Sequence, residues 1–202
     1  MTNRVRASIL ALVFGAIVTV PAIASAQSPV TVGVKGGVNI AKLSFDDDED
    51  NEDLKSLVGA VAGLFVGKQF DDTFGFRLEG LFSQKGVKNA EAGDDFKFKL
   101  TYVDVPVLLT LGPSSSDDTR FNVFTGPQIS FNIKAEDEFL GVTTDRDEDV
   151  KSTDFGWVLG AGLEKGRITA DARYTLGLSN IAEGGADVKN KVFSVMIGVK
   201  LK

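Results

Sequence analysis

Residues 155–178 read FGWVLGAGLEKG followed by RITADARYTLGL, two alternating segments about a turn at Lys165-Gly166. One parity carries Phe155, Trp157, Leu159, Ala161 and Leu163, then Ile168, Ala170, Ala172, Tyr174, Leu176 and Leu178. The other carries Asp154, Gly156, Val158, Gly160, Gly162 and Glu164, then Thr169, Asp171, Arg173, Thr175 and Gly177. Strand side chains alternate between faces, so the spacing predicts a hairpin with one apolar face and one small or charged face. Both arms exceed the ~5–6 residues of an ordinary strand. The fold therefore turns on whether the apolar face meets a protein core or lipid.

The same alternation recurs along the chain. Strand one is expected over about Val30–Leu43, with Val34, Val38 and Ile40 opposite Gly33, Lys35, Gly37 and Asn39. Strand two spans about Ser56–Phe70. Strand three starts after the turn at Asp71-Asp72-Thr73, with Phe74, Phe76, Leu78 and Phe82 opposite Arg77, Glu79, Ser83 and Lys85. Strand four, about Phe96–Leu111, changes phase near Tyr102, which points to a bulge or to an end protruding beyond the lipid. Pro106 costs a ladder hydrogen bond and is a second hint of a bulge. Strand five spans about Arg120–Lys134 and strand eight Lys191–Leu201, with the opening hairpin as strands six and seven. Longer or acidic connections follow strands one, three, five and seven; shorter turns follow two, four and six. The run Asp46–Asp53 is acidic at seven of eight positions, and Ala135–Lys151 is expected as a long acidic loop.

Composition narrows the chemistry. The 202 residues include 22 Gly and 15 Phe, with no Cys and no His. Disulfides and thiolate chemistry are excluded, as are His-based triads, His-ligated zinc and His general bases. Residues 1–26 have a basic start at Arg4 and Arg6, an apolar run Ala7–Val20 and the small-residue site Ala24-Ser25-Ala26, which is the pattern of a cleaved signal peptide. Residues 27–202 are then the mature domain. Loss of the two arginines leaves 20 basic and 28 acidic residues, a net charge of −8. An acidic exported chain is a poor partner for nucleic acid. Past residue 26 no apolar stretch approaches the ~20 residues of a spanning helix, so a membrane form must be a closed barrel.

The expected fold is all-β: an eight-stranded antiparallel up-and-down transmembrane β-barrel preceded by a signal peptide. An even strand number with alternating short turns and long loops is the outer-membrane pattern. A soluble periplasmic carrier of the lipocalin kind is the competing reading, with its apolar parity inward. Three features favour lipid: the glycine-rich second parity, its few and nearly balanced charges, and the aromatics recurring on the apolar parity at Phe74, Phe121, Phe131, Phe155, Tyr174 and Phe193.

The chain also resembles the outer-membrane β-barrel domain family that includes the PorT-like proteins. The resemblance rests on GVKGGVN at 33–39, SQKG at 83–86, YVDVP at 102–106, GPQ at 126–128, DFGWVLGAGLE at 154–164 and ARY at 172–174, in that order. It implies a single-chain eight-stranded barrel in a Gram-negative outer membrane. PorT-like members are linked to protein secretion, a role that these residues do not single out. Such barrels usually end on an aromatic, whereas the last residues here are Val199-Lys200-Leu201-Lys202.

Functionally, the residues suggest a non-enzymatic barrel with a lumen plugged by charges and acidic loops outside; a small-solute channel is the alternative. Lys35, Arg77, Glu79, Asp104, Asp171 and Arg173 fall at similar depth on the non-apolar parity, three of each sign. Lys85 with Asp154 towards the outer end, and Glu164 with Lys200 towards the periplasmic end, would extend the network. Ser83 and Ser130 have no histidine base, and Glu79 with Asp104 is read as lumen salt bridging in preference to an acid–base pair. Asp145-Arg146-Asp147-Glu148-Asp149 has acids at alternate positions, but Val150 stands where a calcium loop needs glycine. No cofactor is expected. The expected partners of this monomer are outer-membrane lipid and lipopolysaccharide, with divalent cations loosely held at the acidic loops.

Overall fold

A computed structural model describes residues 30–45, 54–89, 96–113, 119–140, 142–145, 150–182 and 188–201. The expected signal segment 1–26, the acidic run 46–53 and the acidic residues 146–149 lie outside these. Every described element is a strand: β1 (Val30–Phe45), β2 (Leu54–Gln69), β3 (Phe74–Asn89), β4 (Phe96–Leu111), β5 (Thr119–Phe139), β6 (Val142–Asp145), β7 (Thr153–Lys165), β8 (Ile168–Gly177) and β9 (Val188–Lys200). The strand order is β4-β3-β2-β1-β9-β8-β7-β5, and the pairing of β4 with β5 closes the sheet. Eight strands thus form an antiparallel barrel, and β6 is a short arm folded onto the end of β5.

Register follows the alternation read from the sequence. Across β7 and β8 the apolar residues face one another as Trp157↔Leu176, Leu159↔Tyr174 and Leu163↔Ala170. The two arms meet at a tight turn, where Gly166 takes φ 55, a conformation that costs glycine nothing. Burial then decides what the apolar face meets. Phe155, Trp157, Leu159, Leu163, Ile168, Leu176 and Leu178 are exposed, whereas Lys35, Arg77, Glu79, Asp171 and Arg173 are buried. A lipocalin-like carrier needs the reverse arrangement, so that reading fails: the apolar belt faces outward and suits hydrocarbon.

Three local readings change. The segment expected as the loop Ala135–Lys151 begins as strand: β5 runs on to Phe139 and returns as β6, with Glu136↔Asp145 and Phe139↔Val142 in register. Leu140, at the tip, has φ 48. Second, the alternation of β4 is continuous, and the bulge lies in β5. Register passes from Thr101↔Lys134 to Tyr102↔Asn132, leaving Ile133 as the extra residue. Third, Pro106 makes no bulge. Pairing with β3 stops at Leu78↔Val107 and resumes at Leu81↔Asp104 with no shift, because the missing N–H opens the ladder without displacing it.

What changes along β4 is its surroundings. Near its start, Leu100 and Tyr102 are buried inside the barrel, while Lys97 and Lys99 face outward. On that outer surface Lys99 pairs with Glu138, and Lys134 with Glu136 at 2.7 Å. We call this the loop end, and the opposite one, where β1 starts and β9 stops, the terminal end.

At the terminal end Asp71 accepts hydrogen bonds from the backbone N–H groups of Thr73 (2.8 Å) and Phe74 (2.7 Å), which fix the β2–β3 turn. The Thr73 N–H, then that of Phe74, hold its carboxyl below the ordinary carboxylate range. The turn's stabilisation by the Asp71 carboxylate is therefore present above that range and lost as pH falls through the lowered pKa. A carboxyl NMR titration of Asp71 should show a midpoint below that of an unconstrained aspartate; a midpoint at the ordinary value would contradict the turn geometry.

The outward belt makes a second expectation. Leu159→Arg and Leu176→Arg should each cost about 2–4 kcal/mol in lipid if placed near the bilayer midplane. Gln128→Glu, a polar lumen change with no lipid contact, should not follow the same dependence on bilayer thickness. Equilibrium unfolding in bilayers of different acyl length checks both.

Candidate functional site

The functional residues of this barrel are those of its lumen. Closing eight strands leaves an interior wide enough for side chains but for little else. Along β1 and β3 the inward positions run Lys35, Asn39, Ala41, Leu43 and Arg77, Glu79, Leu81, Ser83, Lys85, Val87. The lumen is therefore stratified from the terminal end to the loop end.

The lowest ion pair is Glu164 with Lys200, 2.7 Å apart and partly exposed at the terminal end. Above it sits the central layer. Glu79, fully buried, meets Arg173 Nη1 at 2.7 Å, Lys35 Nζ at 2.8 Å and Arg77 Nε at 2.9 Å. Asp171 meets Lys35 Nζ at 2.5 Å, Arg173 Nη2 at 3.1 Å and Arg77 Nη2 at 3.5 Å. Arg173 clasps Glu79 with both Nη atoms, a bidentate geometry that fixes orientation as well as charge.

Three cations and two carboxylates leave this layer one positive charge in excess. Aromatic rings surround the surplus. Arg77 lies over the Phe124 ring at 4.6 Å and Arg173 over the same ring at 5.1 Å, while Lys35 lies over Phe65 at 5.0 Å. In a site sealed from water such cation–π contacts are worth ~2 kcal/mol or more. Register makes room for two of these side chains: opposite Asp171 a Cβ at Gly162 would come within 2.7 Å of its Oδ1, and opposite Lys35 a Cβ at Gly198 would come within 3.1 Å of its Cβ. A Cβ at Gly33 would come within 2.3 Å of the Phe65 ring, and one at Gly160 within 2.4 Å of the Phe124 ring. These glycines are the complement of the rings.

Next comes a neutral layer. Asn39 Nδ2 donates to Ser83 Oγ at 2.9 Å, and Ser194 Oγ donates to Asn39 Oδ1 at 2.8 Å. Val61, Leu81 and Met196 pack beside it. Lys85 then pairs with Asp104 at 2.9 Å and lies over the Tyr102 ring at 4.5 Å. At the loop end Leu43, Val87, Leu100, Tyr102, Ala135, Val150, Ile181 and Val188 form an apolar cap.

The sequence-level network differs from this in two places. Asp104 does not join the central layer. Its register position opposite Leu81 puts it between Glu79 and Lys85 along the lumen, and Lys85 takes it. Lys85 consequently does not pair with Asp154, which instead accepts from Ser179 Oγ at 2.7 Å and from Asn190 Nδ2 at 2.9 Å. The central layer itself is not balanced by sign, since three cations meet two carboxylates. Tyr102 lies on the lumen face that its parity with Asp104 indicates, whereas Phe65 and Phe124 are lumen residues that the sequence reading does not name, because the lumen network is read there from charges alone. The alternation of Phe65 with Leu64 and Val66, and of Phe124 with Val123, was the available signal.

Ser83 Oγ accepts from the Asn39 amide and Ser130 Oγ from the Gln128 amide. Among the described residues no group of three or more His, Cys, Asp or Glu is arranged to hold a metal. Of the stretch read against a calcium loop, Asp145 ends β6 as an exposed strand residue and the next four residues lie outside the description.

Comparison with solved structures finds the same architecture. Neisserial surface protein A matches with TM-score 0.52 at 16% identity, over 86% of this chain and 99% of that one. OprG from Pseudomonas aeruginosa (TM-score 0.46, 12% identity) and the attachment invasion locus protein Ail of Yersinia pestis (0.43, 17%) each cover 85% of this chain, and 95% and 99% of their own. At these identities the likeness is one of fold. No curated protein matches the chain. The model of the outer membrane protein β-barrel domain matches residues 25–183, most of the chain and seven of the eight barrel strands, with β9 beyond it. With its closed eight-stranded sheet and outward apolar belt, the chain belongs to the outer membrane protein β-barrel domain family.

Proposed function

We propose that the protein is a small monomeric, non-enzymatic outer-membrane barrel whose lumen is plugged, and which works by what it presents outside. The observation that carries this reading is the central layer: five interlocked charged side chains span the lumen from β1, β3 and β8, beneath an apolar cap. A solute would have to break buried ion pairs, where removing one partner costs about 3–5 kcal/mol. The absence of histidine and the amide-bonded serines support a non-catalytic role. The loop end faces outward in this reading, with acidic connections at 46–53 and beyond β6, and export by the 1–26 segment.

Three measurements test it. In planar bilayers the wild-type protein should give little steady conductance; stable openings of one size would overturn the plug. Epitopes inserted after Asp48 or Gly141 should be labelled on intact cells, and labelling at Asp72 instead would invert the orientation. Because the central layer carries a surplus cation, loss of acid should hurt more than loss of base. Glu79→Ala should destabilise by about 3–5 kcal/mol, clearly more than Arg77→Ala, and Arg173→Ala in the same chain should recover part of that loss. Equal single losses, or strict additivity, would disprove the interlocked layer.

A further inference from the structure

One cation of the central layer has no directed partner. Lys35 Nζ donates to Glu79 Oε1 at 2.8 Å and to Asp171 Oδ2 at 2.5 Å, and Arg173 likewise bonds both carboxylates. Arg77 does not. Its Nε lies 2.9 Å from Glu79 Oε1 and its Nη2 3.5 Å from Asp171 Oδ2, yet neither group makes a hydrogen bond to a described residue. Arg77 is only 6% exposed, and the Phe124 ring beside it is shared with Arg173. The surplus positive charge and the unmade hydrogen bonds of the layer thus fall on one buried side chain, a costly arrangement.

The lumen wall opposite Arg77 is recessed. Gly67 of β2 stands directly across the ladder from it, with Thr31 of β1 on the other side of Gly67. A Cβ at Gly67 would have one neighbour within 4 Å, the Phe76 carbonyl oxygen at 3.6 Å. Other inward glycines of this region are already covered. A Cβ at Gly33 would meet the Phe65 ring, one at Gly162 the Asp171 carboxylate and one at Gly198 the Thr169 hydroxyl, each at under 3.0 Å. Two residues from Gly67 towards the terminal end, Gln69 folds over Gly75, its Oε1 2.6 Å from the position of a Cβ there. Gln69 Nε2 is buried and has no partner among the described residues. The recess is therefore bordered by an unpartnered guanidinium edge and an unpartnered amide donor.

Charge decides what kind of ligand suits it. From the central layer to the terminal end, the described inward positions carry the cations Lys35, Arg77, Arg120, Arg173 and Lys200 against the carboxylates Glu79, Glu164 and Asp171. That is an excess of positive charge in a chain whose net charge is −6. Glu164 pairs with Lys200, while Arg120 Nη2 donates to the Gly112 carbonyl at 2.9 Å, a neutral partner. A lumen lined by one sign of charge concentrates ions of the other. The groups nearest the recess, Arg77, Gln69 and Thr31, can all donate hydrogen bonds, and none is a carboxylate.

We propose that the recess over Gly67 binds one small monovalent anion, a halide such as chloride, admitted from the terminal end. Arg77 supplies the charge and two N–H donors, and Gln69 Nε2 supplies a further donor. With the anion in place the three cations of the central layer face three negative charges, and Lys35 and Arg173 keep their carboxylates. A single recessed glycine position limits the ligand to a small ion, and a surplus of one charge limits it to a monovalent one. The inference starts from the geometry of the central layer, not from the barrel being closed to solutes. A conductance trace reports on the plug and an ion titration on the recess, so the two readings fail separately.

The test uses the full barrel in neutral micelles at constant ionic strength, with sodium chloride exchanged for sodium gluconate, whose monovalent anion is too bulky for the recess. A ligand held by the folded state alone raises the thermal midpoint. The wild-type midpoint should therefore climb with chloride along a saturating curve, and bromide should act in the same way. Gly67→Ala is the decisive variant. Its methyl group meets one atom at 3.6 Å, so in gluconate its midpoint should equal or exceed that of the wild type, while its chloride affinity falls tenfold or more. Arg77→Gln should abolish the chloride response and Gln69→Leu should weaken it, whereas Lys191→Gln, at an exposed lysine on the outer surface, should leave it unchanged. Bromide-soaked crystals should show an anomalous peak between Arg77 and Gly67. An equal rise in gluconate, or a rise in chloride that never saturates, overturns the proposal. So does a full response in Gly67→Ala or Arg77→Gln, an equal loss in Lys191→Gln, or bromide found only outside the recess.

Discussion

Glu79 is a fully buried carboxylate in the middle of the barrel lumen, and the rest of the lumen depends on how it is held. A buried charge without partners costs several kcal/mol. Glu79 has three: Arg173 reaches it from β8, Lys35 from β1, and Arg77 from its own strand two residues away. Because β8 and β3 lie on different sides of the barrel, the ion pairs fasten non-adjacent strands across the interior, which backbone ladders cannot do. Asp171 repeats the arrangement with the same three cations. The layer thus specifies register as well as charge, since a one-residue slip of β1 or β8 would turn Lys35 or Arg173 out to lipid.

The glycines follow from that layer. An arginine needs more cross-section than an eight-stranded lumen offers when every position bears a Cβ. Glycine across the ladder from Asp171, at Gly162, and from Lys35, at Gly198, leaves the space that a Cβ would take from those two side chains. The same device admits Phe65 and Phe124, whose rings occupy the volume that Cβ atoms at Gly33 and Gly160 would take. Aromatic faces then accept the surplus positive charge. Charge, ring and glycine form one packing unit, and none of the three is explicable alone.

This explains which features were legible in the sequence. The two parities of Phe155–Leu178 were enough to place every residue of that hairpin on the correct face, because period-2 alternation is a local property. Strand number and the outward belt followed in the same way. Which cation meets which carboxylate is a different matter. It depends on cross-strand register summed around the barrel, and an offset of two residues moves Asp104 out of the central layer and into the reach of Lys85. Asp154 meets Asn190 from the inward parity of β9 and Ser179 from the segment after β8, and the position of that segment is something no alternation encodes. Phe65 and Phe124 stay hidden because an apolar residue on the lumen parity carries no charge to mark it, and the second strand is apolar on both parities.

The loop end shows why the phase of β4 looked inconsistent. A strand crosses the bilayer with about 9–11 residues, whereas β1 to β4 have 16 each. The surplus emerges into water, and there the rule of burial reverses while the pleat continues unbroken. On β4, Val105 and Val107 face outward along the lipid, but Lys97 and Lys99 do so beyond it, and Leu100 joins the cap inside. Strand β8, with 10 residues, has no such surplus, so Ile181 from the segment after it completes the cap in place of a strand. That cap stands between the aqueous surroundings and the charged layers beneath. By excluding water it lowers the local dielectric, which strengthens each ion pair made and raises the cost of each one lost. The soluble-like rim thereby governs the electrostatics of the membrane-embedded lumen.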